Sequence, residues 1–170
     1  MTRPRVLMVT GAYYPELSGG ALQIQTLMRA LGDRVQCLVL SASLGHDDAP
    51  RVVDGVPVHR VTVTGSATAA ATRLAAAFLR LAPGVDIVQL NGFSRKSVLI
   101  MALATALDKR RVVKLSTAGE DEAPAVRARS RVAFAVYRRA DLFVGINAGH
   151  RALHVAAALP EDRATFIPVL

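Results

Sequence analysis

Apolar runs of strand length alternate with helical segments from one end of the sequence to the other. The first run, RVLMVT at residues 5–10, is continuous, and similar runs occupy 35–41, 85–90, 111–117 and 141–147. Continuous runs are typical of strands that are buried on both faces, and helical crossovers make such strands parallel. The pattern therefore predicts an α/β fold with a Rossmann-like, doubly wound, mostly parallel sheet flanked by helices.

The segments between these runs have helical periodicity or turn residues. Helices are predicted at 21–31, 67–81, 96–107, 125–139 and 148–159. The pair Asp54-Gly55 predicts a short hairpin or an irregular strand within 51–63, and a further strand is predicted at 165–168. No linker, repeat or low-complexity tract divides residues 1–170, so the sequence predicts one domain.

The sequence is basic, with 21 lysines and arginines against 13 acidic residues and a net charge of +8. This excess favours contact with phosphate, whether of a nucleotide, a nucleic acid or an anionic lipid. The basic residues are scattered, however, and form short clusters at 109–111 and 127–131, which is typical of solvated surfaces. We expect no nucleic-acid partner, and we keep an anionic membrane surface among the candidate partners.

The sequence shows no pattern for export or membrane insertion. The first apolar stretch is short and lacks a cleavage pattern of small residues, and basic residues interrupt the longest apolar segments before about 18 residues. Cys37 is the single cysteine and lies in the apolar run VQCLVL, which predicts a buried structural thiol. We expect a cytoplasmic protein, with the inner face of the membrane as a peripheral location.

The loops that follow the carboxyl ends of the predicted strands are the expected place for a site. In the first of these loops, Gly19-Gly20 opens a helix whose free N–H groups and dipole favour an anion. Glycine also lets a phosphate or a sugar approach the backbone closely. The alternative interpretation is a flexible turn without a ligand.

Several nucleotide-binding and hydrolase classes are disfavoured because their motifs are missing. The sequence has no G-x-G-x-x-G, and its second predicted strand ends without the acidic residue that would hold a ribose, which disfavours a nicotinamide enzyme. It has no Walker A lysine motif and no G-x-S-x-G elbow. P-loop NTPases and serine hydrolases are therefore excluded.

A second loop, TAGEDE at 117–122, places three carboxylates after the fifth predicted strand. Glu120, Asp121 and Glu122 could offer a base, a metal ligand or acceptors for sugar hydroxyls. The alternative is an acidic cap for the following helix, which the helix dipole would favour. His150 and His154 share a predicted helix face, but no acidic residue accompanies them as in H-E-x-x-H, so no metal site is predicted.

These loops occur in the order and spacing of a known family. The segment YYPELSGGALQIQTLMRAL resembles the loop and first helix of the family 4 retaining glycosyltransferases, also called glycosyl transferases group 1. Further similar segments follow in order: DIVQLNGFSRKS, VVKLSTAGEDE and RRADLFVGINAGHRALHVA. The resemblance covers nearly the whole chain, which is similar to the N-terminal, Rossmann-like domain of a GT-B enzyme.

The resemblance implies transfer of a sugar from a nucleotide-diphosphate-sugar to an acceptor with retention at the anomeric carbon, as in polysaccharide or antibiotic biosynthesis. This domain would form the acceptor side of the cleft. The donor-binding C-terminal domain of the family is expected to be absent from this chain, and the chain alone is expected to be inactive. No cofactor and no metal is implied. The implied catalytic residues are Asp121 and Glu120, and the implied substrate-binding residues are Gly19, Gly20, Gly92, Arg95, Lys96 and Gly119.

Two features depart from the family pattern. Ala118 stands where many relatives have a histidine, and Gly32-Asp33 stands where a Gly-His pair is usual, although Gly119-Glu120-Asp121 is similar to a G-x-D variant. Two other functions stay open: a non-catalytic module of the same fold that binds a ligand or a partner, and a binder of nucleic acid or membrane that charge alone supports.

Overall fold

The computed structural model describes residues 2–16, 18–43 and 49–167. Within these residues, eight strands form one sheet. The strands described are β1 (Arg5–Thr10), β2 (Gln36–Ser43), β3 (Val52–Val53), β4 (Val56–Thr62), β5 (Ile87–Asn91), β6 (Arg110–Lys114), β7 (Leu142–Gly145) and β8 (Ala164–Phe166). The α-helices described are α1 (Gly19–Leu31), α2 (Ala67–Leu81), α3 (Arg95–Ala106), α4 (Ala123–Arg129), α5 (Arg131–Tyr137) and α6 (His150–Ala156).

The strand order is β3-β4-β2-β1-β5-β6-β7-β8. The order runs outward from β1 in both directions, as in doubly wound sheets. Parallel pairing joins β1 to β2, β2 to β4, β6 to β7 and β7 to β8, whereas β3 is antiparallel to β4. The predicted fold class, a mostly parallel Rossmann-like sheet with helices, is confirmed.

The chain divides into two compact units, residues 1–88 and 89–170. The single domain inferred from the sequence stays a prediction.

The first unit packs α1 against β1 and β2. Ser18 begins the helix, because its Oγ accepts a hydrogen bond from the backbone N–H of Ala21 at 3.1 Å. This cap starts α1 at Gly19, two residues before the predicted start. The buried face of the helix meets the sheet in a cluster of Val6, Met8, Tyr13, Ala21, Ile24, Met28, Val39 and Val58.

The predicted turn at Asp54-Gly55 joins β3 to β4. Both residues have positive φ, 50° and 78°, as a tight two-residue hairpin requires. The pairing of Val53 with Val56 places the turn between them. The hairpin is therefore confirmed.

The second unit has an aromatic core. Tyr137 packs edge-on against Phe93, with ring centroids 4.7 Å apart, and lies 4.6 Å from the ring of Phe143. Phe143 contacts in turn the ring of His154 at 4.7 Å. The three aromatic residues and His154 are fully buried, so the core of this unit includes a histidine ring.

Two local predictions need correction. The helix predicted at 125–139 is two helices, because Ser130 has extended backbone and its Oγ caps α5 at the N–H of Ala133. A serine hydroxyl competes with helical backbone hydrogen bonding and favours such a cap. Cys37 is half-buried rather than buried, and burial raises the pKa of its thiol.

The last predicted strand, 165–168, corresponds to β8, and Pro168 lies outside the described residues. Among the helices that the structure describes, none has the length and apolar character that a membrane crossing requires.

Gly145 in β7 provides a test of packing in the second unit. A Cβ atom added there would lie 2.4–2.6 Å from atoms of the buried His150 side chain. We expect Gly145→Ala to lower the free energy of unfolding by about 1–3 kcal/mol, because the strand and the imidazole cannot both keep their places. The control is Gly11→Ala, where an added Cβ meets nothing within 4 Å. Urea unfolding of both variants measures the difference, and equal midpoints would contradict the packing described.

Candidate functional site

The loop after β1 in the first unit ends at the two glycines predicted to bind substrate. Gly19 is exposed, and a Cβ added there would meet nothing within 4 Å. At Gly20 the nearest atom would be Ser18 Oγ, at 3.9 Å. Packing therefore does not require glycine at either position.

A guanidinium group holds the same loop in place. Arg60 in β4 donates one hydrogen bond to the carbonyl oxygen of Tyr14 and another to that of Pro50, each at 2.5 Å. Its side chain thus ties two segments of the first unit to the sheet. Nothing in the motif analysis pointed to Arg60, since its partners lie 46 and 10 residues away in sequence.

In the second unit, the carboxylate of Asp121 is the centre of a hydrogen-bond network. Its Oδ1 accepts from the N–H of Phe93 at 2.8 Å, in the loop after β5. Its Oδ2 accepts from Ser116 N at 3.0 Å, Ser116 Oγ at 2.8 Å and Thr117 N at 3.1 Å, in the loop after β6. Asp121 is 6% exposed. The side chain therefore joins two strand-end loops from the interior.

Gly92 is needed for this network to form. Its φ of 86° is in the region that favours glycine, and an added Cβ would lie 2.7 Å from Ser116 Oγ and 3.4 Å from Asp121 Oδ2. Gly92 is buried. The structure therefore brings Gly92 and Asp121 together, as neighbours inside the protein.

The start of α3 presents two cations to solvent. Arg95 and Lys96 occupy its first turn and are both exposed. Hydrogen bonds hold the two residues before this helix, Phe93 and Ser94. Arg129 donates to the carbonyl oxygen of Phe93 at 2.8 Å, and Ser97 Oγ accepts from Ser94 N at 3.1 Å. Cations are unfavourable at a helix N-terminus, so this placement opposes local stability unless an anion binds there.

The three carboxylates of the TAGEDE loop have different surroundings. Glu120 is exposed, whereas Glu122 is 8% exposed and its Oε2 accepts from the N–H of Gly119 at 2.9 Å. The next helix, α4, begins at Ala123, and the side chain of its N-cap residue Glu122 makes no capping hydrogen bond. An acidic residue therefore occupies the N-cap position of this helix, as the alternative interpretation predicted, but without a side-chain capping hydrogen bond.

Ser116, Thr117 and Arg129 form hydrogen bonds with Asp121 or Phe93, but the sequence did not single them out. Ser116 and Thr117 end the predicted run 111–117 and lie beyond the last residue of β6, Lys114, so their place at the carboxyl end of a strand is the signal that could have found them. Arg129 lies in a basic cluster and could not be singled out, because its contact with the Phe93 carbonyl spans 36 residues.

Two buried histidines lie near this network. His150 and His154 have ring centroids 5.8 Å apart and are 1% and 0% exposed. His154 Nε2 contacts the carbonyl oxygen of Pro160 at 3.0 Å, whereas neither ring nitrogen of His150 has a hydrogen-bond partner among the described residues. Burial and the neighbouring His154 lower the pKa of His150, although Glu122 opposes the effect. Among the described residues, no group of three or more metal-ligating side chains occurs.

The comparison with protein families gives the class of this domain. Residues 18–169 match the family described as glycosyl transferase 4-like domain, so the chain belongs to this family. With the sheet described above, this identifies an N-terminal domain of the GT-B type. No curated protein matches the sequence.

Solved structures with the same fold include proteins with different activities. HepE of Anabaena, in complex with UDP and glucose, has a TM-score of 0.68 at 16% identity, with 98% of this chain and 44% of that chain covered. The UDP-N-acetylglucosamine 2-epimerase of Rickettsia bellii has a TM-score of 0.68 at 14% identity, with 97% of this chain and 44% of that chain covered. A UDP-glucosyltransferase of Polygonum tinctorium has a TM-score of 0.64 at 9% identity, with 99% of this chain and 52% of that chain covered. The chain thus spans about half the length of these proteins, and the likeness shows the fold alone.

The network around Asp121 predicts a large effect on stability. In Asp121→Asn one acceptor oxygen is replaced by an NH₂ group that faces backbone donors. We expect a loss of about 2–4 kcal/mol in the free energy of unfolding, since hydrogen bonds to a charged group contribute about 1.5–3 kcal/mol each. Urea unfolding of Asp121→Asn and of the control Glu120→Gln, at an exposed position, measures this loss of stability. Equal midpoints for the two variants would show that the carboxylate does not hold the loops.

We expect the buried His150, whose ring nitrogens lack a hydrogen-bond partner among the described residues, to make the stability depend on pH. Because its folded-state pKa is lowered, the unfolded chain binds a proton more readily, and stability falls as the pH drops below about 6.5. We expect His150→Phe to reduce this loss between about pH 7.5 and 5, whereas His59→Gln, at an exposed position, leaves it unchanged. Chemical denaturation across this range measures the slope. An identical slope in all three proteins would contradict the assignment.

Proposed function

We propose that this domain forms the acceptor side of the cleft in a retaining glycosyltransferase that takes its sugar from a nucleotide-diphosphate donor. Family membership over residues 18–169 supports glycosyl transfer as the class of activity. The observation that carries the site is the network of Asp121, which fixes two strand-end loops whose outer residues are exposed. Rigid loops of this kind suit the orientation of two substrates, which supplies much of the rate enhancement in group transfer.

Glu120 and Asp121 would have different roles in this reaction. Glu120 is exposed, so its carboxylate can accept hydrogen bonds from sugar hydroxyls or take a proton from the acceptor. Asp121 is buried and its oxygens already accept from Phe93, Ser116 and Thr117. Asp121 would therefore act through the loops that it positions.

The other predicted residues would serve substrate binding. Gly19 and Gly20 leave the first N–H groups of α1 open to a phosphate or a sugar. Arg95 and Lys96 would offset negative charge, and Gly119 would let substrate approach the backbone beside Glu120. Helix N-termini and cations can stabilise a leaving diphosphate without a metal, so the proposal includes no metal and no cofactor.

The remaining parts of the proposal rest on the resemblance to the family. A donor-binding domain would supply most nucleotide contacts, and the product would belong to polysaccharide or antibiotic biosynthesis. The enzyme would work in the cytoplasm, peripherally at an anionic membrane surface. A non-catalytic ligand-binding module is the second candidate, favoured by the burial and full hydrogen bonding of Asp121.

The proposal is tested with the full-length protein and a panel of nucleotide-diphosphate sugars and glycosyl acceptors. We expect transfer with retention, and a decrease of about tenfold or more in kcat for Glu120→Gln, because acid–base and hydroxyl contacts act in the transition state. The matched control is Glu161→Gln, at an exposed position that pairs with Arg151, with kcat unchanged.

Two results would contradict this proposal. Unchanged kcat in Glu120→Gln would remove Glu120 from the site. Saturable binding of a nucleotide-sugar without transfer to any acceptor in the panel would favour the non-catalytic module.

A further inference from the structure

A groove of about 480 Å³ runs along β4 in the first unit. One wall is the segment that precedes β3, and the other is the C-terminal half of α2. Four basic side chains line it: Arg51, His59, Arg60 and Arg80. We call this feature the basic groove. Val58 and Val61, which are 4% and 7% exposed, contribute to its floor.

The described lining of the basic groove is positively charged. Among the described residues, none of those that line it carries a carboxylate. Arg51 and Arg80 are exposed, and neither forms an ion pair within the described part of the chain. Like charges collected in one concave surface repel each other unless an anion binds between them.

A second groove of the same unit contains both arginines and carboxylates and so offers a comparison. This groove, of about 540 Å³, is lined by Arg3, Arg5 and Arg29 together with Asp33 and Asp54. Arg3 pairs with Asp33 at 3.3 Å, and Arg29 pairs with Asp54 at 2.7 Å. Carboxylates therefore pair with Arg3 and Arg29 there, whereas among the described residues no carboxylate forms an ion pair with Arg51 or Arg80.

Arg60 is already held in position. Its guanidinium donates to the carbonyl oxygens of Pro50 and Tyr14, so little side-chain freedom is left to lose on binding. Its burial lowers the pKa of the guanidinium, although Tyr13 and Glu16 within electrostatic reach oppose this effect. A bound anion would recover part of the cost of taking this charge out of water.

We propose that the basic groove binds a phosphate-bearing ligand, through a phosphate or diphosphate group held by Arg51, Arg60 and Arg80. Planar guanidinium groups match the oxygens of phosphate with paired hydrogen bonds, and three of them suit a group with more than one negative charge. The apolar floor would contact the part of the ligand next to the phosphate. This site does not involve Gly19, Gly20 or the carboxylates of the second unit, so it goes beyond the proposed transfer reaction.

The test compares two double variants of the full chain that have the same net charge. Arg51→Gln with Arg80→Gln removes two cations from the groove. Arg138→Gln with Arg139→Gln removes two exposed arginines of the second unit. Calorimetric titration with inorganic pyrophosphate at fixed salt is the first arm. The second arm is sedimentation with vesicles of phosphatidylglycerol and phosphatidylcholine, with phosphatidylcholine vesicles as control.

We expect saturable pyrophosphate binding with a Kd below about 1 mM, weakened about tenfold or more by the groove variant and less than twofold by the control variant. Binding to the anionic vesicles that needs the same arginines would identify a lipid headgroup as the source, and binding to pyrophosphate alone would identify a soluble phosphate. Either result supports the groove. Equal weakening in both variants, unchanged affinity in the groove variant, or no binding in either arm would overturn it. Unchanged thermal midpoints show that both variants fold.

Discussion

The buried carboxylate of Asp121 is the interaction on which the described loops of the second unit depend. It draws the N–H of Phe93 and the N–H groups of Ser116 and Thr117 to one point, although these loops follow different strands. Burying a charge is costly unless hydrogen bonds compensate for it, and here charged hydrogen bonds do so. Lys114 lies within electrostatic reach, and burial lowers its own pKa although Asp121 opposes the shift.

In the first unit a positively charged side chain holds loop backbone in a similar way. There the guanidinium of Arg60 binds carbonyl oxygens of Tyr14 and Pro50 and so fixes the loop before Gly19. In each unit a side chain of one charge binds backbone groups of the loops, in addition to a buried aromatic side chain of each loop, Tyr13 or Phe93. The residues that the family resemblance assigns to substrates, such as Glu120 and Arg95, are then free at the surface. Exposed polar groups on fixed loops are what a group-transfer site needs.

Much of the fold could be predicted, because it depends on local patterns. β1 and α2 have the predicted bounds, since a continuous apolar run and a long alanine-rich segment leave little choice. The break at Ser130 was missed, because a serine inside a helical pattern can face solvent as easily as it can cap. The role of Asp121 could not be predicted, since its contact with Phe93 spans 28 residues and depends on how the strands are arranged. The arginines of the basic groove are likewise dispersed in the sequence.

Amide hydrogen exchange is the most direct test of the claim that one carboxylate fixes these loops. Exchange at the amides of Phe93, Ser116 and Thr117 would be measured residue by residue in the wild-type chain and in Asp121→Asn under conditions where both stay folded. We expect all three amides to be protected in the wild type and to lose protection together in the variant, because they share one acceptor group. Protection that survives the substitution, at Phe93 above all, would contradict it.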